Sequence, residues 1–309
     1  MDIWKFLMAV FQRTNRNWRL LIVQFIAGII MIPVIFLGIG IPALVVIVPA
    51  VQGGYDAEDF ISFITDYESL IFILIGLLIF LIFMLIILLI WAFIAGGVRA
   101  MLLDDILEAK PFKLKTFMSH CRRFFGRIVG LWSIIGLIYL GIFVILGGIS
   151  SAIVIFSLKL GENAEAGAVL FGILGGGFIF LILVVVGFLF SIFTALANTY
   201  LIVEDAQVGE TIKGTLRFIR SYPGHTFLVV LMLASIGFAV GITYAIVTMP
   251  VTMIPYIGGL FSLMLSPVQI AMNLYLSLFG TSGYLLLYLW KRKKIGNDYG
   301  IVAVPEKTK

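Results

Sequence analysis

Apolar residues run along this chain in long unbroken blocks and do not alternate with polar ones. Stretches free of Asp, Glu, Lys and Arg extend from Leu20 to Tyr55, Ser69 to Val98, Ile128 to Leu158, Ala166 to Val203 and Gly224 to Trp290. About 20 apolar residues suffice for one helical crossing of a bilayer, so each of the first four blocks holds one span and the last holds two. The pattern predicts six transmembrane helices, at roughly 20–51, 70–98, 128–157, 167–201, 226–249 and 262–290. Transmembrane strands would alternate apolar and polar residues over segments of about 10, which the run from Leu70 to Ile90 does not do. The expected fold class is an all-α, polytopic integral membrane protein.

Shorter polar segments separate the blocks, and three of them carry apolar residues at helical spacing among cations. The first sets Ile3, Trp4, Leu7, Met8 and Phe11 against Lys5, Arg13 and Arg16. In the second, Phe112, Leu114, Phe117, Met118, Cys121, Phe124 and Phe125 lie among Lys113, Lys115, Arg122 and Arg123. The third places Val208, Ile212, Leu216 and Ile219 with Lys213, Arg217 and Arg220. All three are expected to be interfacial amphipathic helices on the cytoplasmic side. Acidic pairs precede the second and third, Asp104-Asp105 and Glu204-Asp205, at an offset of 100 residues; they read as helix-start groups near N-terminal amides. Together these features suggest a parallel internal repeat of three units, 1–100, 101–200 and 201–295, each an interfacial helix, a span out and a span back. One membrane domain would then cover 1–295, with a tail at 296–309.

The charges orient this layout. With six spans, 20 of the 21 Lys and Arg residues fall on one side and Lys159 alone on the other, so the positive-inside rule puts both termini in the cytoplasm of a multi-pass cell-membrane protein. The outward loops carry Asp56, Glu58, Asp59, Asp66, Glu68, Glu162 and Glu165, read as a solvated outer face. No cleavable signal pattern opens the chain, so the segment from Leu20 is expected to persist as a span. Composition agrees, with 62% apolar and 12% charged residues and a mean hydropathy of +1.17. The single cysteine, Cys121, excludes an intrachain disulfide and a CxxC site. The net charge of +5 belongs to membrane-facing loops and carries no argument for nucleic acid.

Gly96-Gly97-Val98-Arg99 ends span two, Val203-Glu204-Asp205 is followed by Gly209-Glu210-Thr211, and Pro267 stands ahead of Leu286-Leu287-Tyr288-Leu289-Trp290-Lys291-Arg292. These short motifs resemble those of a broad group of uncharacterised six-span prokaryotic membrane proteins, which includes the membrane domain fused to some glycerophosphodiester phosphodiesterases. The chain departs from the group's pattern in having no acid after Tyr288. The resemblance implies a six-span helical fold and neither a substrate nor a catalytic residue. The 309 residues are nearly filled by the spans, so the fused enzyme's activity is not expected here.

Intramembrane ionisable residues usually mark function, and the six assigned span cores contain none. Polar candidates within them are Gln24, Asn198, Gln269, Asn273 and Ser277. The last three recur every four positions on one face of span six, where they either line a polar cavity or bond neighbouring helices. Pro33, Pro42 and Pro49 are expected to bend or end the first long segment, and Pro250, Pro255, Gly258 and Gly259 to form the turn between spans five and six. His120 and His225 are the only histidines, and no HExxH, Walker A or GxSxG signature occurs. No catalytic, cofactor or metal site is therefore expected. The sequence points to a non-enzymatic protein that organises lipid or serves as a membrane scaffold or assembly partner. Lys113, Lys115, Arg122, Arg123, Arg217 and Arg220 are the candidate contacts to anionic lipid, unless these helices merely brace the spans. The alternative is a transporter or flippase for a lipidic or amphipathic compound.

Overall fold

A computed structural model of the chain describes residues 2–52, 67–161, 165–252, 254, 257–292 and 295–296. Among the described residues there are eight helices and no strand: α1 (Ile3–Arg16), α2 (Trp18–Gln52), α3 (Tyr67–Glu108), α4 (Leu114–Gly161), α5 (Glu165–Val203), α6 (Val208–Ser221), α7 (Pro223–Thr252) and α8 (Ile257–Lys291). Helices satisfy their own backbone hydrogen bonds, as lipid demands of any spanning segment. Six contain stretches long and apolar enough to cross a membrane: Trp18–Pro49, Ser69–Glu108, Leu114–Ile153, Leu174–Val203, Pro223–Pro250 and Met264–Lys291. The architecture is that of an all-helical, multi-pass membrane protein. The expected acidic loop around Asp56 to Asp66, Glu162, Pro255 and the tail beyond residue 296 lie outside the described residues.

Several boundaries differ from the expected ones. α3 does not stop near Val98 but runs on through Arg99, Asp104 and Asp105 to Glu108, because no breaker interrupts that stretch. It ends where Ala109 takes the left-handed conformation (φ 52) and returns its N–H to the Asp105 carbonyl at 3.2 Å, with Pro111 beyond. α5 closes similarly at Asp205 (φ 50), where the Ala206 N–H reaches the Leu201 carbonyl at 3.1 Å, the six-to-one bond of a Schellman ending. Both acidic pairs thus stand at helix C-termini, and the helix-start role expected of them is wrong. The second basic segment is not a separate helix either, since its residues from Leu114 on form the first turns of the 48-residue α4. Pro33, Pro42 and Pro49 lie within α2 without ending it. Pro250 lies within α7, and Gly258 and Gly259 within α8.

The chain divides into two compact units, one of Val10–Phe125 with Ile242–Phe279 and the other of Met1–Ala9, Gly126–Gly241 and Gly280–Lys309. In the first unit, α2 and α3 pack antiparallel. A Cβ on Gly38 would lie 2.8 Å from the Phe83 Cβ, and one on Gly76 would lie 3.0 Å from a Val46 methyl and 3.2 Å from the Pro42 carbonyl oxygen. The start of α4 lies against the end of α3, with Gly97 under Cys121 and Phe117 and Phe93 edge-on to Phe125 at 5.9 Å. In the second unit, α4 and α5 form another antiparallel pair. Its contacts are Trp132 with Asn198, Tyr139 with Phe190 and Ile153 with Gly175. α7 and α8 pair there as well, through Leu233 with Gly283 and His225 with Trp290.

Much of this surface is left for lipid. Only 6% of the most apolar window of the second span is buried by protein, against 44% for the sixth. Where helices do meet, glycines such as Gly97 leave no room for a side chain. Gly97→Leu is expected to force Cys121 and Phe117 off α3 and cost about 1–3 kcal/mol. Thermal melting in mild detergent should show the loss and its partial recovery in Gly97→Leu with Phe117→Ala; an unchanged midpoint would contradict the packing described.

Candidate functional site

The polar chemistry of this chain gathers at the ends of helices. In the first unit, Asp105 is buried near the C-terminus of α3. Asn17 Nδ2 donates to its Oδ2 at 2.9 Å, and Arg13 Nη1 donates to the same oxygen at 3.3 Å and to the Asp105 carbonyl at 3.0 Å. Arg16 donates from Nε to Oδ1 at 2.5 Å, makes a shorter ion pair to the same oxygen through Nη2 and donates from Nη2 to the carbonyl at 3.0 Å. These donors offset the unfavourable meeting of a carboxylate with the negative end of a helix dipole. Burial pulls the Arg13 guanidinium below its ordinary range, and the neighbouring Asp105 pulls it back up. One residue earlier, Asp104 Oδ2 lies 2.9 Å from His120 Nε2. His120 is thereby turned to an acid and not to Cys121, which is buried under Gly97.

The second unit treats its own acidic pair in the same way. Arg127 Nη1 donates to Asp205 Oδ1 at 2.6 Å and to the Asp205 carbonyl at 3.0 Å. Tyr288 Oη donates to Glu204 Oε1 at 2.8 Å and accepts from Arg292 Nε at 3.2 Å. That hydrogen bond holds the Arg292 guanidinium above its ordinary range. Aromatic rings surround the Tyr288 ring, with Phe218 at 4.9 Å and Tyr200 at 5.7 Å between centroids. Lys291 Nζ stands 3.9 Å over the Trp290 ring and 5.3 Å from that of Tyr222.

The sequence-predicted candidates fall into three groups. Asn198 is buried and engaged, accepting from Trp132 Nε1 at 3.1 Å and donating to the Thr194 carbonyl at 2.8 Å, so it ties α4 to α5. Gln269, Asn273 and Ser277 share a face of α8, as expected, but that face is exposed. Lys113, Lys115, Arg122, Arg123, Arg217 and Arg220 are all exposed too, with Arg123 lying 5.3 Å from the Phe124 ring. Gln24 is buried.

One residue escaped the sequence reading. Arg99 lies inside α3, 9 residues before its end, where the sequence pattern puts a span boundary. Its Nη1 reaches only the Ala95 carbonyl, at 3.3 Å, and its Nε is buried without a partner. The helix formers that follow it, Ala100-Met101-Leu102-Leu103, were the available signal that the helix runs on past this charge. Among the described residues no three of His, Cys, Asp and Glu gather closely enough to hold a metal ion. Comparison with protein-family models, with curated proteins and with solved structures finds no match.

The two carboxylates differ in ways that a variant can measure. Asp105 and Arg13 are 3% and 6% exposed, whereas Asp205 and Arg127 are 45% and 34% exposed. Breaking a buried pair costs about 3–5 kcal/mol, and an exposed one about 1 kcal/mol or less. Asp105→Asn is expected to collapse the folded yield while Asp205→Asn leaves it nearly intact, read as monodisperse protein surviving a heating series. Equal losses would show that burial does not set the strength of these ties.

Proposed function

We propose that this chain is a non-enzymatic membrane protein that holds anionic lipid headgroups at the cytoplasmic leaflet, and that it organises lipid there or serves as a scaffold or assembly partner. The observation that carries the reading is a division among its cations. Arg13, Arg16, Arg127 and Arg292 are engaged by Asp105, Asp205 and Glu204. Lys113, Lys115, Arg122, Arg217 and Arg220 stand exposed with no carboxylate partner among the described residues. Arg99 adds a guanidinium that no acid among them neutralises.

Apolar side chains lie exposed on the same segments, Leu114 and Met118 near the first group and Leu216 beside Arg217. Cations and apolar residues together suit the boundary between headgroups and acyl chains. There each Lys or Arg near an anionic surface contributes about 1 kcal/mol. The segregation of 20 of 21 cations supports placing that boundary, and both termini, on the cytoplasmic side. A repeated unit fits the same arrangement. Asp105 and Asp205 stand 100 residues apart, and each is held by an arginine from the basic segment that precedes its hairpin.

A second reading, transport of a lipidic compound, draws on the exposed Gln269, Asn273 and Ser277 face. It has less support, because the grooves in the first unit are apolar: one is lined by Leu21, Ile22, Phe25, Ala271 and Leu274, another by α2 and α3 side chains around Phe83.

Native mass spectrometry with lipid analysis tests the leading reading. Protein reconstituted into vesicles of zwitterionic and anionic phospholipid should retain the anionic species on gentle extraction. The quadruple variant Lys115→Gln, Arg122→Gln, Arg217→Gln, Arg220→Gln should retain at least about tenfold less, and added salt should mimic it. Retention of bulk lipid only, unchanged in the variant, would remove the lipid-holding function.

A further inference from the structure

α8 presents two different sides in the first unit. One meets the start of α2: Ala271 and Leu274 share an apolar groove with Leu21, Ile22 and Phe25, and Tyr275 Oη donates to Asn15 Oδ1 at 3.0 Å. At about 100° per residue, Gln269, Asn273 and Ser277 lie on the opposite side, and all three are exposed. Neither the Gln269 nor the Asn273 side chain has a hydrogen-bond partner among the described residues.

Depth makes this arrangement costly. Trp290 and Lys291 at the end of α8 suit the headgroup level. About 20 residues of helix fill the hydrocarbon, so counting back from Leu289 reaches the neighbourhood of Ile270. Asn273 and Ser277 then lie within the hydrocarbon and Gln269 at its outer edge. An amide exposed to acyl chains loses its hydrogen bonds with water and gains none.

We propose that this face of α8 is the contact surface for a second copy of the chain, formed about a two-fold axis along the membrane normal. An amide carries both an acceptor and donors, so Asn273 of one copy and Asn273 of the other satisfy each other, and Gln269 and Ser277 flank that pair. Copies inserted with the same topology hold identical residues at identical depth, which makes the stripe self-complementary as an isologous contact requires. The three residues carry no charge, so the face does not call for an ionic partner. The side of α8 that meets α2 is already taken. Interhelical amide bonds of this kind drive association of spans within membranes.

This inference is independent of the lipid-holding reading and is tested separately. In membranes from cells expressing the full chain with Cys121→Ala, Ser277→Cys, which lies on the same face and leaves Asn273 in place, is expected to give an oxidised homodimer. Val268→Cys, exposed on another side of α8, should give none. Without cysteine chemistry, Asn273→Leu is expected to lower the dimer fraction in mild detergent roughly three- to tenfold while leaving the monomer's melting midpoint in place. Three outcomes overturn the proposal. Labelling of Ser277→Cys by a membrane-impermeant thiol reagent, with no dimer, would mean that water lines the stripe as in a transport pathway. Labelling by a membrane-permeant reagent only, with no dimer, would mean that it faces lipid. A mixed disulfide of another mass would mean that the occupant is a different protein.

Discussion

A carboxylate at the C-terminal end of a helix faces the negative pole of the helix dipole, and a chain that keeps one there must supply positive or hydrogen-bonding groups to hold it. Asp105 and Asp205 both occupy such ends, and the rest of the arrangement depends on how they are answered. Asp105 is answered by Arg13, Arg16 and Asn17 from the residues that join α1 to α2, which fastens the beginning of the first hairpin to its end. Asp205 is answered by Arg127 near the start of α4, and the second hairpin is fastened in the same sense. In an apolar bundle surrounded by lipid there is little hydrophobic gain in bringing helices together. Polar ties and close glycine contacts must then set which helices are neighbours.

The positions of the six spans were legible because lipid imposes a single requirement, a run of apolar residues long enough to cross. Their ends were less legible because a helix stops for local backbone reasons that charge does not report. Arg99 interrupts the apolar run but not α3, which continues until Ala109 turns left-handed ahead of Pro111. The acidic pairs were visible as a recurrence at 100 residues, yet their role depends on partners such as Arg13, 92 positions from Asp105. No local pattern announces such a pairing. The spacing of Gln269, Asn273 and Ser277 identified a shared helical face, but spacing is silent on whether that face is covered. Asn198 belongs to the same class of residue and is buried beside Trp132, a difference made by packing alone.

The short motifs that stand out in the sequence have physical roles here. Gly97 is where Cys121 and Phe117 approach α3, and a side chain would collide with both. Glu204 meets Tyr288 and Arg292, while Gly214 leaves room for the Tyr200 ring that packs edge-on to Tyr288. Glu204 thus supplies a carboxylate to Tyr288 from the end of α5, and these residues tie helix ends to one another and let helices approach closely.

The same economy explains where the uncompensated charge lies. Asp105 and Asp205 are each matched by specific donors, Arg13 and Arg16 from the last turns of α1 and Arg127 one turn beyond Arg123 in α4. Lys113, Lys115, Arg122, Arg217 and Arg220 remain exposed with no carboxylate partner among the described residues, near exposed apolar side chains such as Leu114 and Leu216, whereas Arg99, which no described acid neutralises, lies half-buried within α3. On the proposed lipid-holding function, this combination of cations and exposed apolar side chains suits a headgroup layer, with charge at the phosphate level and carbon below it.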